Sequence, residues 1–286
     1  MRSLQLGSHK LHLVDDGQFR LDGGAMFGVV PKNLWSRVAP ADEENRIRMG
    51  SNCLLIEHGS ELVLVDTGLG GHADEKFRGI YAYDERAGSL PRNIEALGFA
   101  LGDVTHVVLS HLHFDHSGWN CTTSGKGDTL APTFPKARYW LSQGEVEHAR
   151  APNLRDRASY FPRNWEPLFA AGVAELFAGS GSPIPGVEAI EAPGHNRNMC
   201  VVRVDGGAPD AQAIFLADLV PTTAHVPYPW VMGYDLYPLE TLAGKEHWLP
   251  QAAEGGWLCH FEHDPDTPWA RLSADKPGKF RIVPVP

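Results

Sequence analysis

The stretch THVVLSHLHFDHSG, residues 105–118, constrains this chain more than any other. Its first half is a short apolar run, as expected of a buried strand. Its second half places three histidines and an aspartate within positions 111–116. Histidine fills only 14 of 286 positions, so H-x-H-x-D-H has a chance expectation of about 0.002 in a chain of this length. A strand that delivers imidazoles and a carboxylate at its C-terminal end makes a site both rigidly held and open to ligands. His111, His113 and Asp115 stand at i, i+2 and i+4. If the chain stays extended there, these three share one side and His116 points another way, an arrangement that suits two neighbouring metals better than one. Imidazole and carboxylate together suit zinc, and also iron, manganese or cobalt.

The same pattern recurs along the chain. CLLIEHG (53–59) and ELVLVDTG (61–68) read as adjacent strands joined by a tight turn at Gly59-Ser60. Ser89 as N-cap, Pro91 in the first turn and Gly98 past the end frame a helix that carries Leu90, Ile94 and Leu97 on one face. RYWLS (138–142) is a strand, followed by short helices at QGEVEHARA and around Trp165–Phe169. The Thr-, Ser-, Gly- and Pro-rich segment 121–137 reads as a loop. VEAIEAPGH (187–195), MCVVRV (199–204), AIFLAD (213–218) and GWLCHFEH (256–263) complete the strands. Three of these end in a possible ligand: His195, Asp218 and His263. His260 competes with His263, but His263 ends its strand and precedes Asp-Pro. His106 lies inside a strand and reads as a core histidine; His58, His72, His148 and His247 read as surface residues.

Composition narrows the function. A formal charge of −10 disfavours a nucleic-acid partner, which needs clustered Lys and Arg. No segment approaches a membrane span, and the N-terminus lacks the apolar core of a signal peptide. The four cysteines, Cys53, Cys121, Cys200 and Cys259, form no CxxC pair and read as free thiols of a cytoplasmic protein. The sequon at Asn120-Cys-Thr122 is then accidental.

LVDTG (64–68), SHLHFDHSG (110–118), APGH (192–195), LADLVP (216–221) and EHDP (262–265), in this order, resemble the metallo-β-lactamase superfamily. The resemblance runs from about residue 50 to 265. It implies an α/β fold, a four-layer αββα sandwich, and one such domain over 1–286 with an N-terminal extension at about 1–50. It also implies two divalent metal ions per chain, zinc foremost. His111, His113 and His195 would bind one; Asp115, His116 and His263 the other; Asp218 would bridge them. Asp66 would accept a hydrogen bond from a ligand histidine, a role compatible with capping the turn at Thr67-Gly68. A hydroxide bridging the metals would attack a carbonyl, and Asp115 would carry a proton to the leaving group.

Within that superfamily, DGGAMFGVVPKNLW (22–35) and DLVPTTAHVPYPWVMGYDLYP (218–238) resemble the branch of N-acyl-homoserine lactonases, close to methyl parathion hydrolases. The first stretch would lie at a subunit contact, consistent with a homodimer, or over the site. Met26, Phe27, His225, Tyr228, Trp230, Met232 and Tyr234 are the candidate substrate wall, an apolar surface suited to an acyl chain. Several lactonases place a tyrosine three residues after the bridging aspartate; this chain has Pro221 there. The expected partner is a small ester or lactone. Three alternatives stand beside lactone opening: a phosphotriesterase or aryl esterase on the same centre, a mononuclear iron persulfide dioxygenase, and a non-catalytic binding protein.

Overall fold

The apolar run at 61–65 shows how the layers form. Side chains alternate across a strand. Leu62 and Leu64 accordingly pack with Leu90, Ile94, Val146 and Ala149, which belong to helices. Val63 and Val65 pack the other way, against Val201 and Phe215 of a second sheet. A strand buried on both faces must sit between a helix layer and another sheet. The computed structural model describes residues 2–70, 74–84, 88–123, 129–276 and 278–285; His72 lies outside them.

The strands are β1 (Arg2–Leu6), β2 (His9–Asp22), β3 (Arg46–His58), β4 (Glu61–Val65), β5 (His106–Val108), β6 (Cys121–Thr123), β7 (Leu130–Pro132), β8 (Arg138–Ser142), β9 (Ala174–Phe177), β10 (Ser180–Ile184), β11 (Val187–Glu191), β12 (Cys200–Asp205), β13 (Gln212–Phe215), β14 (Leu258–His260), β15 (Trp269–Lys276) and β16 (Lys279–Pro284). The helices are α1 (Gly23–Phe27), α2 (Lys32–Trp35), α3 (Glu75–Tyr81), α4 (Leu90–Ala96), α5 (Gln143–Arg150), α6 (Glu166–Ala170) and α7 (Pro238–Glu254). One seven-stranded sheet runs β1-β2-β3-β4-β5-β8-β9 and the other β10-β11-β12-β13-β14-β15-β16. The largest core cluster fills the space between them, α4, α5 and α6 cover the first sheet, and α7 packs on the second through Trp248, Leu249 and Ala252. This is the αββα sandwich.

β4, β5 and β8 are parallel, and so are β13 and β14. Parallel neighbours gather their C-terminal ends on one rim, and the candidate ligands follow those ends, except His195, which follows the antiparallel β11. Strand extents differ from the sequence reading in one consistent way. β11, β13 and β14 stop short of His195, Asp218 and His263, which stand on turns just beyond. The segment 121–137 contains the short hairpin β6–β7 rather than loop alone. All four cysteines are free and buried. Among the described residues, no helix is long and apolar enough to cross a membrane.

Candidate metal centre

The motif does not stay extended. Its backbone turns, with the amides of His116 and Ser117 both donating to the His113 carbonyl. The i, i+2, i+4 geometry expected of an extended chain is therefore replaced by a compact turn. Gly118 closes it: a Cβ there would lie 2.1 Å from the Leu69 carbonyl carbon, so only glycine lets the two backbones touch. Two other turns are held in the left-handed region by non-glycine residues, Asp66 (φ 56°) and Ala217 (φ 45°). Such backbone costs ~1–3 kcal/mol and persists only where its surroundings over-determine it; here it aims Asp66 and Asp218.

These turns bring all seven candidate ligands together. His111, His113 and His195 form one set of buried groups with their ligand atoms within 4.8 Å of one another, and Asp115, His116 and His263 form another. Asp218 stands between them. Its Oδ2 is 3.3 Å from His195 Nε2 and 3.7 Å from His116 Nε2, and its Oδ1 is 3.3 Å from His263 Nε2, so it reaches both sets. His260 is elsewhere: its ring nitrogens meet the Asn52 carbonyl and Trp269 Nε1, so it is a core residue.

The donor set fits cations. His113 and His195 approach to 3.0 Å through ring nitrogens, as do His116 and His263 to 3.1 Å. His111 Nε2 and Asp218 Oδ1 are buried without a hydrogen-bond partner among the described residues. Converging lone pairs and orphaned acceptors are what a metal satisfies. Burial, then the neighbouring imidazoles, push His111 and His113 well below the usual histidine range, into the neutral form a metal needs. At the other set, burial acts to lower His263, but Asp218 outweighs it and holds the ring up at about 9. That pull reflects the surplus of buried carboxylates, Asp66, Asp115, Asp218 and Glu262, which divalent cations would offset.

A second layer grips the rings. Asp66 accepts from Ser110 N at 2.6 Å and lies 2.9 Å from His116 Nδ1. An ionised carboxylate only accepts, so the ring donates there and turns Nε2 to the centre. His195 Nδ1 meets Asp235 at 3.1 Å, and Asp235 in turn accepts from Thr241 of α7. His263 Nδ1 meets the Gly50 carbonyl, and its amide donates to the carbonyl of Pro221. Glu262, which burial pushes up to about 8, lies 2.9 Å from His116 Nδ1. Sequence reasoning found Asp66 but missed Asp235 and Glu262, although both flank residues it had singled out.

Beside the centre opens a cavity of about 290 Å³, lined by His113, Asp115, His195, Asp218 and His263 on one side. Of the proposed substrate wall, Met26, Met232 and Tyr234 line it. The others do not, and the expectation is corrected for each. Phe27 is fully buried, stacked between His225 and Trp35. His225 is a pillar beneath it, its nitrogens held by Thr222 Oγ1 and the Met26 carbonyl. Trp230 packs edge-on against Phe27, and Tyr228 packs on Phe280 at a separate groove. The cause lies in the backbone: Lys245 of α7 is buried and donates to the carbonyls of Pro227, Tyr228 and Trp230, which fastens this loop to the helix. Leu21, Tyr81, Phe114, Arg155, Asp156 and Ser159 line the cavity instead. The stretch 22–35 thus reaches the site through Met26, while Val29 and Leu34 are exposed. Among the described residues, of the histidines expected at the surface only His247 is exposed; His58 and His148 are half-buried, as is His106, which pairs with Trp140 and Glu61.

Known proteins are similar to this chain in sequence and in fold. A probable metallo-hydrolase of Mycobacterium tuberculosis is 35% identical over 172 residues, 54% of this chain and 52% of that protein. The chain thus spans about half the length of the first curated relatives it matches. A probable metal-dependent hydrolase from Staphylococcus aureus has the same fold with a TM-score of 0.89 at 27% identity, over 99% of each chain. The dizinc quorum-quenching lactonase AidC, solved with a product, shares the fold at TM-score 0.80 and 22% identity, over 100% of this chain and 97% of that one. The model of the Metallo-beta-lactamase superfamily matches residues 46–272, from the start of β3 into β15 and across every candidate ligand. By that match the chain belongs to the Metallo-beta-lactamase superfamily.

Proposed function

We propose that this chain is a metal-dependent hydrolase that opens the lactone ring of N-acyl-homoserine lactones. The observation that carries it is the reach of the Asp218 carboxylate to both sets of candidate ligands, at the floor of a largely apolar cavity. Two divalent ions held by His111, His113 and His195 and by Asp115, His116 and His263, with Asp218 between, would supply Lewis acidity and a water acidified to near neutral pH. The chain's own residues do the rest. Leu21, Met26, Phe114 and Met232 form an apolar wall that takes the acyl chain and keeps bulk water away. Asp115 lines the cavity 3.8 Å from His263 Nε2 and is the group placed to pass a proton to the leaving ring oxygen. Water adds to the carbonyl carbon, the ring C–O bond breaks, and the carboxylate product leaves one proton in solution. With Pro221 lacking a donor, the hydroxyls of Tyr81 and Tyr234 in the lining are the candidates to hold the carbonyl oxygen. A dioxygenase with a single iron would leave the Asp115, His116 and His263 set without use.

The test is proton release from N-hexanoyl-homoserine lactone, with zinc-loaded protein and a chelated control. Fast release that zinc restores supports lactone opening. Release only from aryl esters or phosphotriesters moves the substrate to the alternative hydrolase class. No release from any of them by metal-loaded protein overturns the hydrolase.

A further inference from the structure

The cavity has a polar strip that the metal centre does not use. Loop 151–160 contributes Arg155, Asp156 and Ser159 to the wall. Asp156 belongs to none of the metal-holding sets. It is nine-tenths buried, with 7% of its surface exposed. A buried carboxylate is costly unless both oxygens find donors. One does: Oδ2 lies 2.6 Å from His148 Nε2 of α5. This contact fixes the Asp156 rotamer. The other oxygen, Oδ1, has no hydrogen-bond partner among the described residues. The adjacent cation does not supply one, since Arg155 sends its guanidinium to the Gly233 carbonyl. His148 is itself held in place, its ring edge-on to Tyr160 at 5.6 Å. Asp156 is thus a braced carboxylate in the lining of a cavity that also carries apolar side chains, with one buried oxygen to which the described residues give no donor.

We propose that Asp156, braced by His148, is a specificity-determining residue that accepts a hydrogen bond from a donor on the substrate, placed between the scissile carbonyl and the apolar tail. This rests on the lactone hydrolysis proposed above and names the part of the substrate that is read there. In an N-acylated lactone the amide N–H is attached next to the ring carbonyl carbon, where head meets tail. A site built to bond an N–H rejects the analogue lacking it more strongly than an apolar pocket rejects a missing methylene.

The experiment compares zinc-loaded wild type, Asp156→Ala and Asp156→Asn on two substrates. One is N-hexanoyl-homoserine lactone; the other is α-heptyl-γ-butyrolactone, of matched length without the N–H. Wild type is expected to favour the amide by about tenfold or more in kcat/KM. Asp156→Ala should erase that preference, leaving the alkyl lactone within about threefold of wild type. Asp156→Asn, which keeps a carbonyl acceptor, should restore part of it and guards against misfolding of the alanine variant. Equal losses on both lactones in both variants, or no preference in wild type, overturn the proposal. Calorimetric binding of the ring-opened N-hexanoyl-homoserine and of 2-heptyl-4-hydroxybutanoate separates the two ideas. If neither lactone is cleaved, lactone hydrolysis is refuted. Asp156 is then decided by binding alone: a preference for the amide ligand that Asp156→Ala abolishes supports it, and equal affinities overturn it.

Discussion

The floor of the cavity and its walls are built on opposite principles. The floor is made of turns at the C-terminal rim of two sheets, and three of its rings are gripped from behind: His116 by Asp66, His195 by Asp235, His263 by Gly50. The walls come from the end of β2, the short helices α1 and α3 and the segments 155–159 and 232–234. They are positioned by side-chain props, chiefly Lys245, Arg155 and the Phe27–His225 stack. A floor of this kind is set by a few residues with fixed chemistry. Walls of this kind can change substrate without disturbing the metals, which is how one fold supports many hydrolases.

Changes to the floor should have the largest effects. His111→Ala, or chelation, should lower lactone kcat/KM by about 10³-fold or more, read by pH-stat, with a matching drop in bound metal. Full activity in chelated protein would erase the distinction between floor and wall. The gripping layer comes next. Asp235→Asn should weaken metal binding by about 10–100-fold, measured by competition with a chromophoric chelator; an unchanged affinity would leave Thr241–Asp235–His195 a packing feature only. On the walls, Met232→Trp should shorten the accepted acyl chain. We expect about a tenfold loss on N-decanoyl substrate, a smaller loss on N-butanoyl and unaltered metal content.

The smallest effect concerns a prop. Burial lowers Lys245 from 10.5 to about 7. Between those two values the unfolded chain holds more protons on this side chain than the folded one, so its contribution makes stability rise with pH through that window. Lys245→Met should remove that rise and, by leaving three carbonyls without a donor, cost ~1–3 kcal/mol. Urea unfolding at pH 7 and pH 9 reads both; an unchanged pH slope would contradict the prop's burial.

The same division explains what could be read from the sequence. The floor was legible because imidazole and carboxylate at strand ends have few other uses, and His111, His113, Asp115, His116, His195, Asp218 and His263 are indeed brought together. Asp66 was legible through the resemblance that LVDTG (64–68) carries. Asp235 was not, because its purpose appears only when α7 brings Thr241 beneath it. α7 itself was missed: Gly244 and Pro250 interrupt the helical signal, and buried Lys245 breaks the apolar face. β2 was missed because Asp15 and Asp16 interrupt it, at a register shift between Asp15 and Gln18. Asp16 is buried there, accepting from Leu69 N, Gly70 N, Leu90 N and Trp119 Nε1, a tertiary arrangement with no local trace. The walls failed for a related reason. An aromatic near the site can face cavity or core: Phe27 and His225 stack on each other, and Tyr228 and Trp230 lie on the loop fastened to Lys245.

The central claim is that Asp218 stands between two metals, and metal content per chain tests it most directly. Zinc-loaded, desalted wild-type protein and Asp218→Ala would be compared by inductively coupled plasma mass spectrometry, with circular dichroism as the check on folding. Two zinc ions per wild-type chain, falling in the folded variant, is the predicted result. One ion or none in wild type, or two retained without Asp218, would contradict it.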